Sequence, residues 1–176
     1  MKFGSMGGGN NKKEAQKRER ALAKRLGGQA TPNSGAIDGQ KGDVILDRYL
    51  VDDKFTGQPS YTLKKSEMDK ISREARERNR EPMFVIKFTK GVPKNCESEW
   101  ALLPKRLCDL VVFDKINIKN KSRILPISTL GSWSTRSLKE EKEPVIEVEF
   151  FKRTLGVDSS WILAPLTLFE ERGYFE

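Results

Sequence analysis

The sequence contains no histidine and only two cysteines, Cys96 and Cys108. Without histidine, Ser-His and Cys-His nucleophilic schemes are excluded, and so is any histidine general base. The same scarcity rules out the usual zinc patterns and argues against a disulfide framework, as expected in a reducing cytosol. Any chemistry must therefore come from carboxylates, lysine or a bound metal ion.

Long apolar runs are also missing. No run approaches the length of a membrane span, and the start of the chain lacks the apolar core of a signal peptide. We therefore expect a cytoplasmic protein without a membrane partner. No Walker loop, zinc finger or RNP pattern is present, so neither a nucleotide cofactor nor sequence-specific base readout is indicated.

Positive charge is abundant. Lys and Arg number 33 against 25 acidic residues, which gives a net charge of +8 over 176 residues. Such a balance favours a polyanionic partner, with nucleic acid first, although charge that serves only solubility is an alternative. The hydrophobic content of 36% is adequate for a packed core.

The first quarter of the chain predicts a tail, a helix and a loop. Residues 1–10 are rich in Gly and Asn and are expected to be disordered. Strong helix formers fill residues 12–26, and Gly27-Gly28 supplies a stop. The inward stripe of this helix is expected to be Ala15, Glu19, Leu22 and Leu26.

The next segments predict the remainder of an α/β core over residues 11–110. "DVILD" and "RYLVDDKF" indicate two adjacent strands with a tight turn near Asp47-Arg48. An amphipathic helix, the apolar strand "PMFVIKF", the strand "EWALLP" and a short helix at "KRLCDL" follow. This order indicates an α/β fold with a mixed central sheet flanked by helices.

Residues 111–176 form a β-rich C-terminal extension that resembles a degenerate repeat of the core. A constant shift that places Val44 on Val111 also places Lys54 on Lys121 and, after a shortened helix, "EPMFVIKF" meets "EPVIEVEF". In this register Leu110 replaces Asp43 and Lys119 replaces Asp52, so the second copy could not hold a divalent cation and would serve as scaffold or DNA contact. Chance similarity between two hairpins is the alternative.

One group of charged residues stands among apolar runs in "GDVILDRYLVDDKFT". Asp52 and Lys54 share one face of their strand, and Asp43, near the start of the neighbouring strand, can approach Asp52. Two converging carboxylates repel unless a cation lies between them, and Mg²⁺ prefers oxygen ligands and retains water that can attack a phosphodiester. Lys54 would position that water or offset transition-state charge. Glu19 would add a third carboxylate, with Glu14 as the alternative ligand.

The order of these features resembles the PD-(D/E)xK nuclease superfamily, in particular the archaeal and phage Holliday-junction resolvases and related small phage endonucleases. The similar region covers roughly residues 12 to 110 and implies a restriction-endonuclease-like core. It also implies Mg²⁺, or Mn²⁺ as a substitute, bound by Glu19, Asp43, Asp52 and the backbone carbonyl of Asp53. Lys54 would be catalytic and Ser34 would lie near the scissile phosphate.

The sequence departs from the superfamily pattern in three ways. Gly42 stands where a proline usually precedes the first acid, and Asp52 stands where resolvases more often have glutamate. The minimal resolvase also lacks the segment after residue 110. Alone, Asp43 could be a turn residue, Lys54 a solvated strand-end charge and Ser34 a residue that shapes a turn.

The resemblance implies branched DNA as partner, recombination or DNA processing as role, and a bacterial or phage-infected cell as location. Two symmetric cuts need two active sites, so a homodimer is expected. The alternative is a nuclease-fold protein that binds DNA without cutting it. Phosphate contacts are expected from basic residues of the two helices and from a serine of the loop after the first helix. They are Lys12, Lys13, Arg18, Arg25, Lys64, Lys65 and Arg73, with Ser34 on the loop.

Overall fold

The observed elements include the predicted helices and strands in their predicted order, with further strands at residues 29–30 and 60–64, and the predicted short helix at "KRLCDL" is a 3-10 turn. The computed structural model describes residues 8–31, 42–119, 121–150 and 158–176, with side chains from residue 13 onward. The helices are α1 (Gly8–Arg25), α2 (Lys65–Glu77), α3 (Ile127–Lys139) and α4 (Leu166–Glu171), and a 3-10 turn spans Lys105–Leu107. The strands are β1 (Gln29–Ala30), β2 (Val44–Ile45), β3 (Tyr49–Thr56), β4 (Ser60–Lys64), β5 (Glu81–Phe88), β6 (Glu99–Pro104), β7 (Asp114–Ile118), β8 (Ser122–Pro126), β9 (Ile146–Phe150) and β10 (Ser160–Pro165).

Helix α1 differs from its predicted bounds at the N-terminal end. It begins at Gly8, so residues 8–10 are helical and the prediction of a disordered tail over residues 1–10 is wrong for them. Residues 1–7 of that tail lie outside the described residues. The predicted stripe holds, since Leu22 and Leu26 are buried and Glu19 is half-buried.

Eight strands form one sheet in the order β1-β2-β3-β5-β6-β10-β9-β7. Strand β3 runs parallel to β5 and β7 runs parallel to β9, while the other neighbours are antiparallel. The sheet is therefore mixed and has helices on both faces. This confirms the predicted α/β fold class, a mixed central sheet flanked by helices.

Both faces of the sheet are buried because strand residues alternate between two apolar layers. Leu50 and Phe84 belong to the layer beneath α2, α3 and the two-stranded ribbon β4–β8. Val51 and Met83 belong to the opposite layer, which α1 and α4 cover. No helix in the described part of the chain is both long and apolar enough to cross a bilayer.

The two halves of the chain are arranged about an approximate twofold axis. Its centre is the β6–β10 pair, where Trp100 faces Pro165 and Pro104 faces Trp161. The two-stranded ribbon follows the same twofold relation. The N–H of Lys65, the first residue of α2, donates to the Lys121 carbonyl, and the N–H of Ile127, the first residue of α3, donates to the Pro59 carbonyl. Each half thus contains one β-β-α-β-β unit, of which three strands join the shared sheet and one joins the ribbon.

Local details recur in the two units. The residues that follow α2 and α3, Asn79 and Glu141, both adopt φ of +53°. Ser72 and Ser134 are both buried, and each hydroxyl donates to the helix carbonyl four residues earlier. Equivalent positions can therefore be read directly from the sheet register and the helix ends.

The register differs from the predicted one. Asp52 lies opposite Phe84 in the β3–β5 pair. In the second unit Asp114 lies opposite Ile146, which holds the position of Phe84. Asp52 therefore corresponds to Asp114 and not to Lys119, and Lys54 corresponds to Ile116. The gapless shift was wrong because it assumed a shortened second helix, whereas α2 and α3 both contain 13 residues.

The segment after residue 110 supplies three of the eight strands of the sheet. Strand β6 would be an open edge without β10, and the apolar layer around Trp100 also contains Trp161, Leu163 and Ile146 from the second unit. The two halves therefore share both apolar layers.

A fragment that ends at residue 110 is expected not to fold by itself, because it would expose the β6 edge and one side of both layers. Urea titration followed by tryptophan fluorescence should show no cooperative transition for this fragment. Mixing it with residues 111–176 should restore one. A cooperative transition of the isolated fragment would contradict the shared core.

Candidate active site

Strand β3 carries three consecutive charged residues on two faces of the sheet. Asp52 and Lys54 lie on the face of Leu50, towards α2, while Asp53 lies on the opposite face with Val51. Asp52 is buried, with 7% of its surface exposed. A buried carboxylate requires partners, and the neighbouring residues supply them.

Asp43 is positioned by backbone hydrogen bonds at the start of β2. Its N–H donates to the Val51 carbonyl at 2.8 Å, and its carboxylate Oδ2 accepts the N–H of Asp53 at 2.8 Å. The N–H and C=O of a strand residue point to the same edge, so the Asp53 carbonyl also points towards the Asp43 side. The carboxylate of Asp43 therefore extends the ladder beyond the two residues of β2.

Gly42 sets the direction in which the chain enters this site. Its φ is +77°, and a Cβ built on it would lie 2.6 Å from Leu50 Cδ1. Proline, with φ fixed near −65°, could not adopt this conformation. The departure from the superfamily proline thus has a local steric reason.

The carboxyl groups of Asp43 and Asp52 meet. Burial, the Asp52 charge and a hydrogen bond between the two groups together raise the pKa of Asp43 to about 7. Two acids that share a site in this way resist ionising together below about pH 7 unless a cation lies between them. This is the arrangement predicted from the spacing of these residues.

Lys54 lies beside the pair. Its Nζ donates to Asp52 Oδ1 at 2.7 Å and lies 5.9 Å from the centre of the Phe84 ring. Burial lowers the pKa of Lys54, but the carboxylates of Asp52, Asp43 and Glu67 outweigh this effect and raise it above its usual value. Lys54 is therefore a persistent positive charge next to two acids.

Two further residues border the site and were missed in the sequence. Tyr61 of β4 donates its hydroxyl to Glu67 Oε2 at 3.0 Å, and its ring packs against Phe84. Burial and the Glu67 carboxylate raise the pKa of Tyr61, and the charge of Asp52 adds to this effect. Neither residue belongs to a motif, and only the packing of α2 and β4 brings the pair here.

Glu19 does not join the acid pair. Helix α1 covers the opposite face of the sheet, where Glu19 and Arg18 act electrostatically on the side chain of Asp53. Burial raises the pKa of Asp53 to about 6. Within the described residues no three His, Cys, Asp or Glu side chains are grouped to hold a metal ion.

The predicted three-acid set therefore reduces to two side chains, Asp43 and Asp52. Glu14 is exposed and Glu19 is half-buried, which favours Glu19 as the inward acid of α1. However, Glu19 faces the side of β3 opposite to Asp52, so it could not bind a metal ion held by Asp43 and Asp52. The side chain of Asp53 also points away, which leaves only its carbonyl for the role implied by the resemblance.

The predicted phosphate-binding residues fall into two groups. Arg25 pairs with Glu99 and Glu170, Lys65 pairs with Asp69, and Arg18 lies 3.7 Å above the Phe55 ring. These three groups are engaged within the protein. Lys13, Lys64 and Arg73 are exposed. The side chain of Lys12 and all of Ser34 lie outside the described residues.

The equivalent place in the second unit is not an acid site. Asp114 pairs with Arg136, and Ile116 is buried where Lys54 stands in the first unit. Strand β7 is the last strand of its sheet edge, so the described chain contains no counterpart of β2 to bring a second carboxylate. The acid site belongs to one half of the molecule.

Gly42→Ala is expected to destabilise the protein by about 1–3 kcal/mol, because alanine meets Leu50 and is strained at positive φ. The matched control is Gly57→Ala, where a Cβ would meet nothing within 4 Å. Urea unfolding measures both. Equal stability of the two variants would show that Gly42 is not sterically required.

Asp43→Asn is expected to stabilise the metal-free protein above about pH 7. The pKa of Asp43 is about 7 in the folded state against an ordinary value of 3.8, so the folded state retains a proton that the unfolded chain releases. The stability that Asp43 contributes is therefore present below about pH 4 and is lost as the pH rises through 7. Asparagine avoids this loss, and its amide oxygen can still accept the Asp53 N–H.

Urea unfolding without divalent ions should give the variant a higher midpoint than the parent at pH 8 and a smaller difference at pH 5. A one-unit difference in the pKa of one group corresponds to about 1.4 kcal/mol. The control is Asp114→Asn, which removes an ion-paired carboxylate and should give no such gain. An equal gain at both pH values would contradict the convergence of the two acids.

Comparison with known proteins gives similarity to solved structures alone. No protein-family profile matches the chain, and no curated protein matches it by sequence. Among solved structures, the chain is similar to Hjc, a Holliday junction resolvase from Archaeoglobus fulgidus, with 10% identity and a TM-score of 0.43. The similarity covers 67% of this chain and 90% of that one.

Proposed function

We propose that the chain is a metal-dependent DNA endonuclease that hydrolyses phosphodiester bonds, with branched DNA such as a Holliday junction as its substrate. The observation that supports it best is the meeting of Asp43 and Asp52 beside Lys54, with the pKa of Asp43 raised to about 7. Acids arranged in this way gain most from a divalent cation, and perturbed carboxyl pairs cluster at functional sites.

The donor atoms fit Mg²⁺, or Mn²⁺ as a substitute. Mg²⁺ is commonly bound by one or two carboxylates and otherwise by water and substrate phosphates, so two acids and the Asp53 carbonyl are a sufficient protein contribution. When bound, such an ion polarises the phosphoryl group and lowers the pKa of a water molecule. Glu19 is not part of this set, because it lies on the other face of β3.

The residues of the chain supply positioning and charge. Asp43 and Asp52 hold the cation, and the Asp53 N–H fixes the orientation of Asp43. The Lys54 ammonium lies beside Asp52, where it can offset negative charge that develops on a phosphate or orient the attacking water. Glu67 and Tyr61 maintain the polar surroundings of Lys54 on the side of α2.

DNA is the proposed polyanion because the chain carries a net charge of +8 and exposes Lys13, Lys64 and Arg73. The preference for four-way junctions comes from the resemblance of the sequence to the resolvases. Two symmetric cuts by a chain with one acid site need two copies, so a homodimer is part of the proposal. The proposed location is the cytoplasm of a bacterial or phage-infected cell.

Cleavage of a labelled DNA panel tests this function. Four-way junction, fork, flap and linear duplex are each incubated with the protein and Mg²⁺, and products are separated on denaturing gels. We expect cleavage of branched substrates that stops in EDTA. Asp52→Asn should lower the rate by about a hundredfold or more, because the cation loses one of its two carboxylates.

The matched control is Asp114→Asn at the equivalent position of the second unit. It removes the same charge outside the acid site and should cut like the parent. Equal cleavage by Asp52→Asn and the parent would place any nuclease activity elsewhere.

A DNA-binding protein without catalysis is the second candidate. The absence of a three-acid group within the described residues favours it. It predicts salt-sensitive binding of the whole panel with no Mg²⁺-dependent cleavage of any substrate. The same gels, combined with anisotropy titrations, distinguish the two functions.

A further inference from the structure

A polar cavity lies at the C-terminal end of α2, away from the acid site. Its volume is about 400 Å³. The lining comes from the turn before β3, the last turns of α2, the start of β5, the 3-10 turn and the segment before β10. Its residues are Arg48, Ser72, Arg76, Asn79, Arg80, Glu81, Pro82, Arg106 and Asp158.

Four guanidinium groups line this cavity against two carboxylates among the described residues. Both carboxylates, Glu81 and Asp158, pair with Arg106. Four positive charges against two negative charges leave the lining with a net positive charge. A concave surface with this excess concentrates anions.

One of these guanidinium groups is fixed in place by the backbone. Arg80 Nε donates to the Leu46 carbonyl at 3.0 Å, and Nη1 donates to the Arg78 carbonyl at 3.2 Å. Arg48 lies with its guanidinium 5.4 Å from the centre of the Tyr49 ring, and Arg76 is exposed on α2. The cavity is thus partly organised before any ligand arrives.

We propose that this cavity, which we call the arginine pocket, binds a phosphate group. Guanidinium forks match the oxygens of phosphate in a planar, bidentate manner, and several forks from different elements suit an anion with three or four oxygens. Ser72 and Asn79 are neutral polar residues on the same wall. The size of the pocket falls within the range of small-ligand sites.

The equivalent region of the second unit lacks the positive charges of Arg48 and Arg76. The position of Arg76 in α2 corresponds to Leu138 in α3, and the position of Arg48 corresponds to Leu110. The pocket is therefore not a product of the β-β-α-β-β unit itself. The charges of Arg48 and Arg76 are specific to the half that carries the acid site, whereas Lys142 keeps a positive charge at the position of Arg80.

The position of the pocket allows two sources of phosphate. Glu67 borders the acid site and Arg76 lines the pocket, and nine residues of helix separate them by about 13 Å along α2. A nucleic-acid strand that reached the acid site could place another phosphate in the pocket. A free phosphate ester such as a nucleotide could bind there independently of any nuclease function.

Binding measurements on the full chain distinguish these sources. Calorimetry with pyrophosphate and with dAMP measures free phosphate binding, and fluorescence anisotropy with a labelled 20-mer duplex measures DNA binding. The variants are Arg76→Gln and Arg48→Gln, both at exposed positions. The control is Lys139→Gln, which removes one charge from the last turn of the equivalent helix α3.

We expect each arginine variant to weaken binding by about tenfold and the control to leave it unchanged, as befits the loss of one charge-assisted contact. A loss with pyrophosphate or dAMP identifies a free phosphate ester as ligand. A loss with DNA alone identifies a backbone phosphate, and this result does not depend on whether the DNA is cut. Arg76→Lys should restore part of the affinity.

Equal affinities of parent, control and both arginine variants for every probe would overturn the proposal. Equal losses in the control and the arginine variants would overturn it as well, since that result reflects net charge only. Failure of all three probes to bind the parent would have the same consequence. None of these outcomes bears on cleavage, so the proposed nuclease function is tested separately.

Discussion

The antiparallel pairing of β6 with β10 is the interaction on which the rest of the structure depends. Without it, each of the two units would end in an unpaired strand. With it, the strands form one sheet with two continuous apolar layers. An unpaired edge of this kind is costly for a soluble protein, because its backbone groups invite association with other chains. Pairing within the molecule removes this edge and fixes the two helical pairs on their respective faces.

The same frame carries different chemistry in its two halves. In the first, β2 continues the sheet beyond β3 and brings Asp43 against Asp52. In the second, β7 ends the sheet, and the equivalent acid forms an ordinary ion pair with Arg136. A difference of one short strand therefore separates a pair of acids with perturbed ionisation from a carboxylate with a stable partner. The packing of the core is hardly affected, because the buried apolar positions are kept in both halves.

Much of the first half could be predicted because its signals are local. Alternation along β3 assigns Asp52 and Lys54 to one face, and the turn at Asp47-Arg48 fixes β2 antiparallel to β3. The face of the sheet that α1 covers is not encoded in the periodicity of the helix. Glu19 was thus correctly predicted to point inwards but was assigned to the wrong side of the sheet.

Features that combine distant segments could not be predicted from the sequence. The repeat was visible in the sequence, but the shift with the most identical residues placed Asp52 on Lys119. The sheet register was needed to align Asp52 with Asp114. Tyr61 meets Glu67 only because β4 and the first turn of α2 pack over β3. The arginine pocket draws on four separate stretches of the chain, none of which carries a recognisable motif.

The location of the acid pair in one half limits what a solitary chain could do to a duplex. If the site cuts, each binding event leaves a nick, since the equivalent positions of the second unit hold the buried Ile116 and an ion-paired aspartate. A double-strand break would then require a second encounter or a second copy. The fused halves would make the enzyme asymmetric towards a symmetric substrate, so that the orientation of binding decides which strand is opened.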